Sequence, residues 1–156
     1  VRAILAELRI VGGMTEAQQT RIFSHLERWV LAAGDVLFRK GDEPQHIYIV
    51  TSGEIDVQIA EGDVVIHKHQ IRVGECCGEA SLMSMHRHTA TGIAAVPSEV
   101  LALSRHALIG LRHEDVDLFA LLMMNLAREL ARRLYLTDQM LLDASAKGGL
   151  RAEGAT

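Results

Sequence analysis

The spacing of apolar residues changes twice along the chain and divides it into three parts. Ile4, Leu5 and Leu8 recur at helical steps before a Gly12-Gly13 stop. Thr15 stands as an N-cap ahead of Ala17, Ile22, Phe23 and Leu26, which predicts a helix over about 15–28. From Val30 the pattern shortens. "VLFRKGDEPQ", "HIYIVTSGE", "IDVQIAEGD" and "VVIHKHQI" follow at roughly 8–12-residue intervals with Gly-Asp turns between them, the rhythm of an antiparallel sandwich or barrel. "GEASLMSMH" reads as a short helix, and "TATGIAAV" and "EVLALS" as two further strands around Pro97-Ser98.

After Arg105 the helical period returns. Val116, Phe119, Met123, Leu126, Leu130 and Leu134 trace one face, which Leu118, Leu121, Leu122 and Met124 widen until little of the girth is polar. Such a helix needs cover on two sides. The β unit is one expected cover and a second copy of the chain the other, which predicts a homodimer through residues 114–142. From Ala144, "ASAKGGLRAEGAT" is small and polar and predicts a disordered tail over 144–156. The expected architecture is mainly β: an antiparallel, jelly-roll-like β roll over about 28–104. N-terminal helices precede it, and C-terminal helices over about 105–143 complete a single domain, 1–143.

Composition narrows the function classes. At 156 residues and 49% apolar content, the chain is long enough for one core. It has no apolar run of about 18 residues and no secretory signal, so no membrane span is expected within it. Cys76 and Cys77 are adjacent and cannot staple distant segments, which points to a reducing cytoplasm. A net charge of −4 argues against reading nucleic acid by a basic footprint. No Ser-His-Asp, Walker-type or paired-carboxylate set is present to suggest an enzyme. The chain opens on Val1, as a fragment or a processed protein would.

"AAGDVLFRKGDEPQHIYIVTSGEIDV", with Gly34, Gly41 and Gly53 at its turns, resembles the front half of the cyclic nucleotide-binding domain family. "GECCGEASL" is similar to that family's phosphate-binding cassette, and "TATGIAA" to the strand after it. The resemblance implies a β roll that binds cyclic AMP or cyclic GMP and repositions a C-terminal helix, without a metal. It implies a ligand site at Cys77, Gly78, Glu79, Ala80, Ser81, Arg87, His88 and Thr89. In it Glu79 accepts from the ribose 2′-hydroxyl, Ala80 and Ser81 offer backbone N–H groups, and a cation pairs with the phosphate.

That cation is where the chain departs from the pattern. If Thr89-Ala90-Thr91 holds the register, the arginine position is His88, Arg87 stands one place early, and the usual preceding proline is absent. Register and strand alternation favour His88. Permanent charge and a bidentate fork favour Arg87, which is the expectation. Glu79 could instead cap the short helix and pair with Arg87.

Two alternatives stand beside this reading. One is a degenerate, ligand-free dimerisation module of the same fold. The other is a cupin-like metal site from His67, His69 and Glu75. Its spacing misses: four residues, not five, separate Gly62 from His67, and five lie between His69 and Glu75. Strand alternation places both histidines on the solvent face. A DNA-reading unit needs about 60 further residues, and 13 follow Asp143. The end, "LARELARRLYLTDQMLLD", also resembles domains of this family appended to sulfate-permease-type transporters, so a fused transporter or effector is conceivable.

Overall fold

The computed structural model describes Leu5 and residues 7–153, with side chains except at 67, 68 and 149–153. Ile4 and residues 154–156 lie outside the described residues. Arg9–Val11 form one 3-10 turn. Helix α1 spans Glu16–Phe23 and opens on a reciprocal cap. Gln18 N donates to Thr15 Oγ1 at 3.2 Å, and Thr15 N donates to Gln18 Oε1 at 2.9 Å. The helix stops short of the predicted 28 because Leu26–Leu31 is strand β1. Its residues alternate, with Trp29 and Leu31 packing into the roll and Arg28 and Val30 exposed. That alternation suits a sheet rather than a helix.

Seven more strands follow: β2 Val36–Phe38, β3 His46–Ser52, β4 Ile55–Glu61, β5 Val64–Ile71, β6 Cys76–Cys77, β7 Thr91–Ala94 and β8 Ser98–Ser104. They form two four-stranded sheets, in the orders β1-β8-β3-β6 and β2-β7-β4-β5, with every pairing antiparallel. Helix α2 (Glu79–Ser84) sits between β6 and β7. Helices α3 (Arg105–Glu114) and α4 (Val116–Glu153) close the chain. Gly34, Gly41 and Gly53 each adopt positive φ at a turn.

Two cores share the first sheet. Phe38, Tyr48, Val50, Ile55, Ile71, Val100 and Ala102 fill the space between the sheets. On the outer face, Ile47, Ile49 and Leu103 meet Leu108, Leu111, Leu118, Leu122 and Leu126. The first half of α4 therefore buries its widest apolar face in its own domain. Asn125 Nδ2 donates to Ile10 O at 2.8 Å and to Gly12 O at 2.9 Å, pinning the N-terminal turn on α4. Where a disordered tail was expected, α4 continues through Ala144 to Glu153, and residues 134–148 are exposed. Ala, Lys and the preceding leucines are good helix formers, and a helix already nucleated propagates at little cost. No helix among the described residues is long and apolar enough to cross a membrane.

Candidate functional site

The chain between β6 and β7 builds one wall of a cavity of about 240 Å³. Gly78 starts it at φ 83°, with His46 O 2.9 Å from where a Cβ would stand, so a side chain here would clash with β3. Helix α2 follows and ends at Met85 in the left-handed region. The returning loop is then clamped to the β2–β3 turn: His88 N donates to Asp42 O at 2.9 Å, and Gly41 N donates to His88 O at 2.8 Å. Both backbone groups of His88 are thus fixed, and its side chain points inward. It is 5% exposed and stacks on Phe38 with ring centres 4.4 Å apart. Gly92 makes room for that stack, because a Cβ there would lie 2.5 Å from Phe38 Cε1.

Arg87 faces the other way. Its Nη1 donates to Gly41 O at 2.9 Å and its Nη2 to Glu43 Oε1 at 3.3 Å, on the outer surface. The physical reason is alternation in extended chain: clamping His88 inward turns its neighbour outward. Arg87 was expected to supply the cation; here it lies outside the cavity lining, and His88 lies within it. Cys77, Gly78, Ala80, Ser81, His88 and Thr89 line the cavity; Arg87 and Glu79 do not.

Glu79 is fully buried, and its partner is neither the cavity nor Arg87 but Arg133 of α4. Arg133 Nη1 lies 2.5 Å from Glu79 Oε1. Its Nη2 donates to Cys76 O at 2.6 Å. Burial raises the Glu79 carboxyl above its ordinary range, and the Arg133 charge opposes that shift. Burial also pushes both thiols up, so Cys76 and Cys77 behave as small packing residues. His88 is held below its ordinary value by burial, with Asp42 opposing.

The opposite wall comes from β4 and β5, through Val57, Ile59, His69 and Ile71. The third side is α4 itself, through Arg133, Leu136, Thr137 and Met140, one helical face at steps of three and four. A β roll, a short helix and a glycine-started loop thus help to enclose an apolar cavity whose lining includes two imidazoles and three hydroxyls.

Among known protein families, residues 28–115 match the cyclic nucleotide-binding domain, more than half of the chain. The chain belongs to that family. It is 30% identical over 87 residues to the cAMP-dependent protein kinase regulatory subunit of Eremothecium gossypii, covering 56% of this chain and 18% of that protein. It is 29% identical over 127 residues to the cyclic AMP receptor protein of Thermus thermophilus, covering 81% of this chain and 57% of that protein. The cyclic nucleotide-binding domain of Methylobacillus flagellatus superposes with a TM-score of 0.81 at 18% identity, over 91% of this chain and 80% of that one, a likeness of fold. The chain spans about a fifth to somewhat over half of the curated relatives named here.

Within this domain the cupin-like trio is dispersed. Ile59 pairs with His67 but Ala60 with Val65, so Ile66 is an extra residue, a bulge that leaves both Val65 and Ile66 exposed. The bulge resets the alternation and turns His69 and Ile71 inward, correcting the expected solvent-facing His69. The His67 side chain lies outside the described residues. Glu75 is engaged by Arg9 and Arg132, each at 3.4 Å, and accepts from Arg72 N at 3.0 Å. A carboxylate held by two guanidinium groups is not poised for a metal. Arg133, Leu136, Thr137 and Met140 escaped sequence reasoning. Their shared helical face, a cation followed by apolar residues past the domain-facing stripe, was the available signal.

Proposed function

We propose that the domain is a ligand-gated regulatory module: a cyclic nucleotide enters the roll, and α4, which forms part of the cavity wall, carries the response. The observation that carries this reading is the shared wall. A ligand in contact with Ser81 and His88 also meets Leu136, Thr137 and Met140, so its presence biases where α4 sits. The phosphate is placed at Ser81, His88 and Thr89, and the base against the apolar Leu136 and Met140. Cyclic AMP is the ligand proposed, as in the names of the receptor protein and kinase subunit it resembles. On this reading the domain catalyses nothing, works in the cytoplasm, and passes its response to a second copy or to an attached effector.

The second copy is placed along α4. Met124, Ala127, Ala131, Leu134, Asp138 and Leu141 step by three and four and are all exposed, a coiled-coil spacing. Of the face expected from the sequence, Leu126 is buried in the domain together with the adjoining Leu118 and Leu122, whereas Leu134 is exposed. A ligand-free dimerisation module is the second reading, favoured by Glu79 being already paired with Arg133. Isothermal titration of the purified domain with cyclic AMP and cyclic GMP separates the two. Saturable binding with one ligand per chain supports the first; no heat with either nucleotide at millimolar concentration supports the second.

A further inference from the structure

Among the described residues that line the cavity, Arg133 is the one lysine or arginine. His88 and His69 are imidazoles, and Arg87 is committed to the outer surface. A guanidinium carries five N–H donors in a planar fork, and the two Arg133 contacts named above, to Glu79 and to the Cys76 carbonyl, leave others available. Its side chain is 26% exposed, so it is reachable from the cavity, and Glu79 behind it is covered while the two are paired. The Glu79 carboxylate lies close to Arg133 yet lacks full hydrogen-bond geometry at either oxygen.

We propose that Arg133 is the permanent cation for the ligand's anionic group, exchanging Glu79 for the phosphate as the ligand enters. This rests on the reading of the cavity as a cyclic-nucleotide site. The exchange has a chemical condition. Once Arg133 turns to the phosphate, Glu79 is left as a buried carboxylate without its counter-ion, which is costly unless a donor replaces it. A ribose hydroxyl supplies that donor. The preferred ligand therefore presents both an anion and a neighbouring hydroxyl, and a deoxyribose analogue completes only half of the exchange. The cassette residue and the helix residue are selected together by one small molecule.

The test uses titration calorimetry with cyclic AMP and 2′-deoxy cyclic AMP on the parent, Arg133→Gln, Glu79→Gln and the double variant. Parent binding should favour the ribose form. Arg133→Gln should weaken both nucleotides by about tenfold or more, the effect of losing a charge-assisted pair. Glu79→Gln removes the carboxylate that the deoxy nucleotide would strand. It should tighten the deoxy form by about fivefold or more and so narrow the ribose preference. The double variant carries no stranded charge, guards against misfolding of Arg133→Gln, and should show the same loss as that variant. If the parent binds but Arg133→Gln or the double variant binds the deoxy form within about twofold of it, the inference fails and the cavity reading stands. Weaker deoxy binding by Glu79→Gln overturns it equally. No binding of either nucleotide by the parent overturns the cavity reading and this inference together.

Discussion

On the proposed reading His88 should make ligand affinity a function of pH, and its surroundings set the sign. In the free domain the imidazole is 5% exposed, stacked on Phe38, and held below its ordinary pKa by burial, with Asp42 opposing. Asp42 lies on the β2–β3 turn, and among the described residues His69 on β5, Cys77 on β6 and Arg133 on α4 are the other charged or titratable groups that line the cavity. His88 is therefore neutral near pH 7 until a phosphate arrives. A phosphate beside it favours the imidazolium and so raises its pKa on binding, an effect that the Arg133 guanidinium in the same cavity reduces. Binding then takes up one proton wherever pH lies between the free-state and bound-state values. Affinity should fall there by up to about tenfold per pH unit, the limit for one proton taken up.

The assay is titration calorimetry at pH 6.5, 7.2 and 8.0 in buffers of different ionisation enthalpy, which counts protons directly. His88→Gln should flatten the profile and weaken binding at pH 6.5. His88→Arg should flatten it at high affinity, and His69→Gln should leave the slope in place. A parent that binds with equal affinity across the range and no proton uptake refutes the reasoning. The free domain carries the opposite sign. A histidine with a lowered native pKa contributes stability above its unfolded value, near 6.5, and loses it as pH falls below. Ligand should therefore protect most at the acid end of the range.

Gly92→Ala puts a Cβ against the Phe38 ring, where Cε1 and Cζ stand 2.5 and 2.8 Å away. It should cost about 1–3 kcal/mol in urea denaturation and weaken ligand binding by shifting Phe38 off His88; unchanged stability would contradict the close approach. Leu126→Asp, at a site 1% exposed within its own domain, should unfold the chain, losing about 3–5 kcal/mol by denaturation. Leu141→Asp, at a site 62% exposed, should leave the melting temperature unchanged and convert dimer to monomer in sedimentation. A parent that sediments as a monomer at about 100 µM would count against the seam.

Most of the strands, the N-cap at Thr15 and the turn glycines were legible because each is set by residues within a few positions. The family resemblance rested on the same local signals, and the match over residues 28–115 agrees with it. What was not legible depends on distant partners. Leu26–Leu31 looks helical at its start, yet it pairs with Leu103–Ser98 across the sheet, and that pairing ends α1 at Phe23. The facing of His69 depends on one bulge at Ile66, invisible to a simple alternation rule. The roles of Arg87 and His88 depend on the clamp to Gly41 and Asp42, which lie more than forty positions earlier in the chain. The Glu79–Arg133 pair joins residues 54 positions apart (133 − 79) that carry no shared motif.

Helix α4 presents three faces that meet different things, and their order along it explains how a cavity event could reach a partner. Leu118, Leu122 and Leu126 bind it to the sheet. A polar collar follows, in which Asn125 holds the N-terminal turn, and Glu129 accepts from Arg132 at 2.9 Å and pairs with Arg9 at 3.6 Å. Arg133 then carries two polar bonds from the helix to the cassette, and beyond it the helix is exposed from Leu134. Any bend at the collar would be opposed next by Arg133. Leu141 lies twelve residues beyond Glu129, about 18 Å along the axis, so a tilt of about 10° there displaces it by about 3 Å. That is enough to slide a seam built on side chains at three- and four-residue steps out of register. Re-pairing one guanidinium is a local event, and the length of the helix turns it into a displacement that a second copy would register.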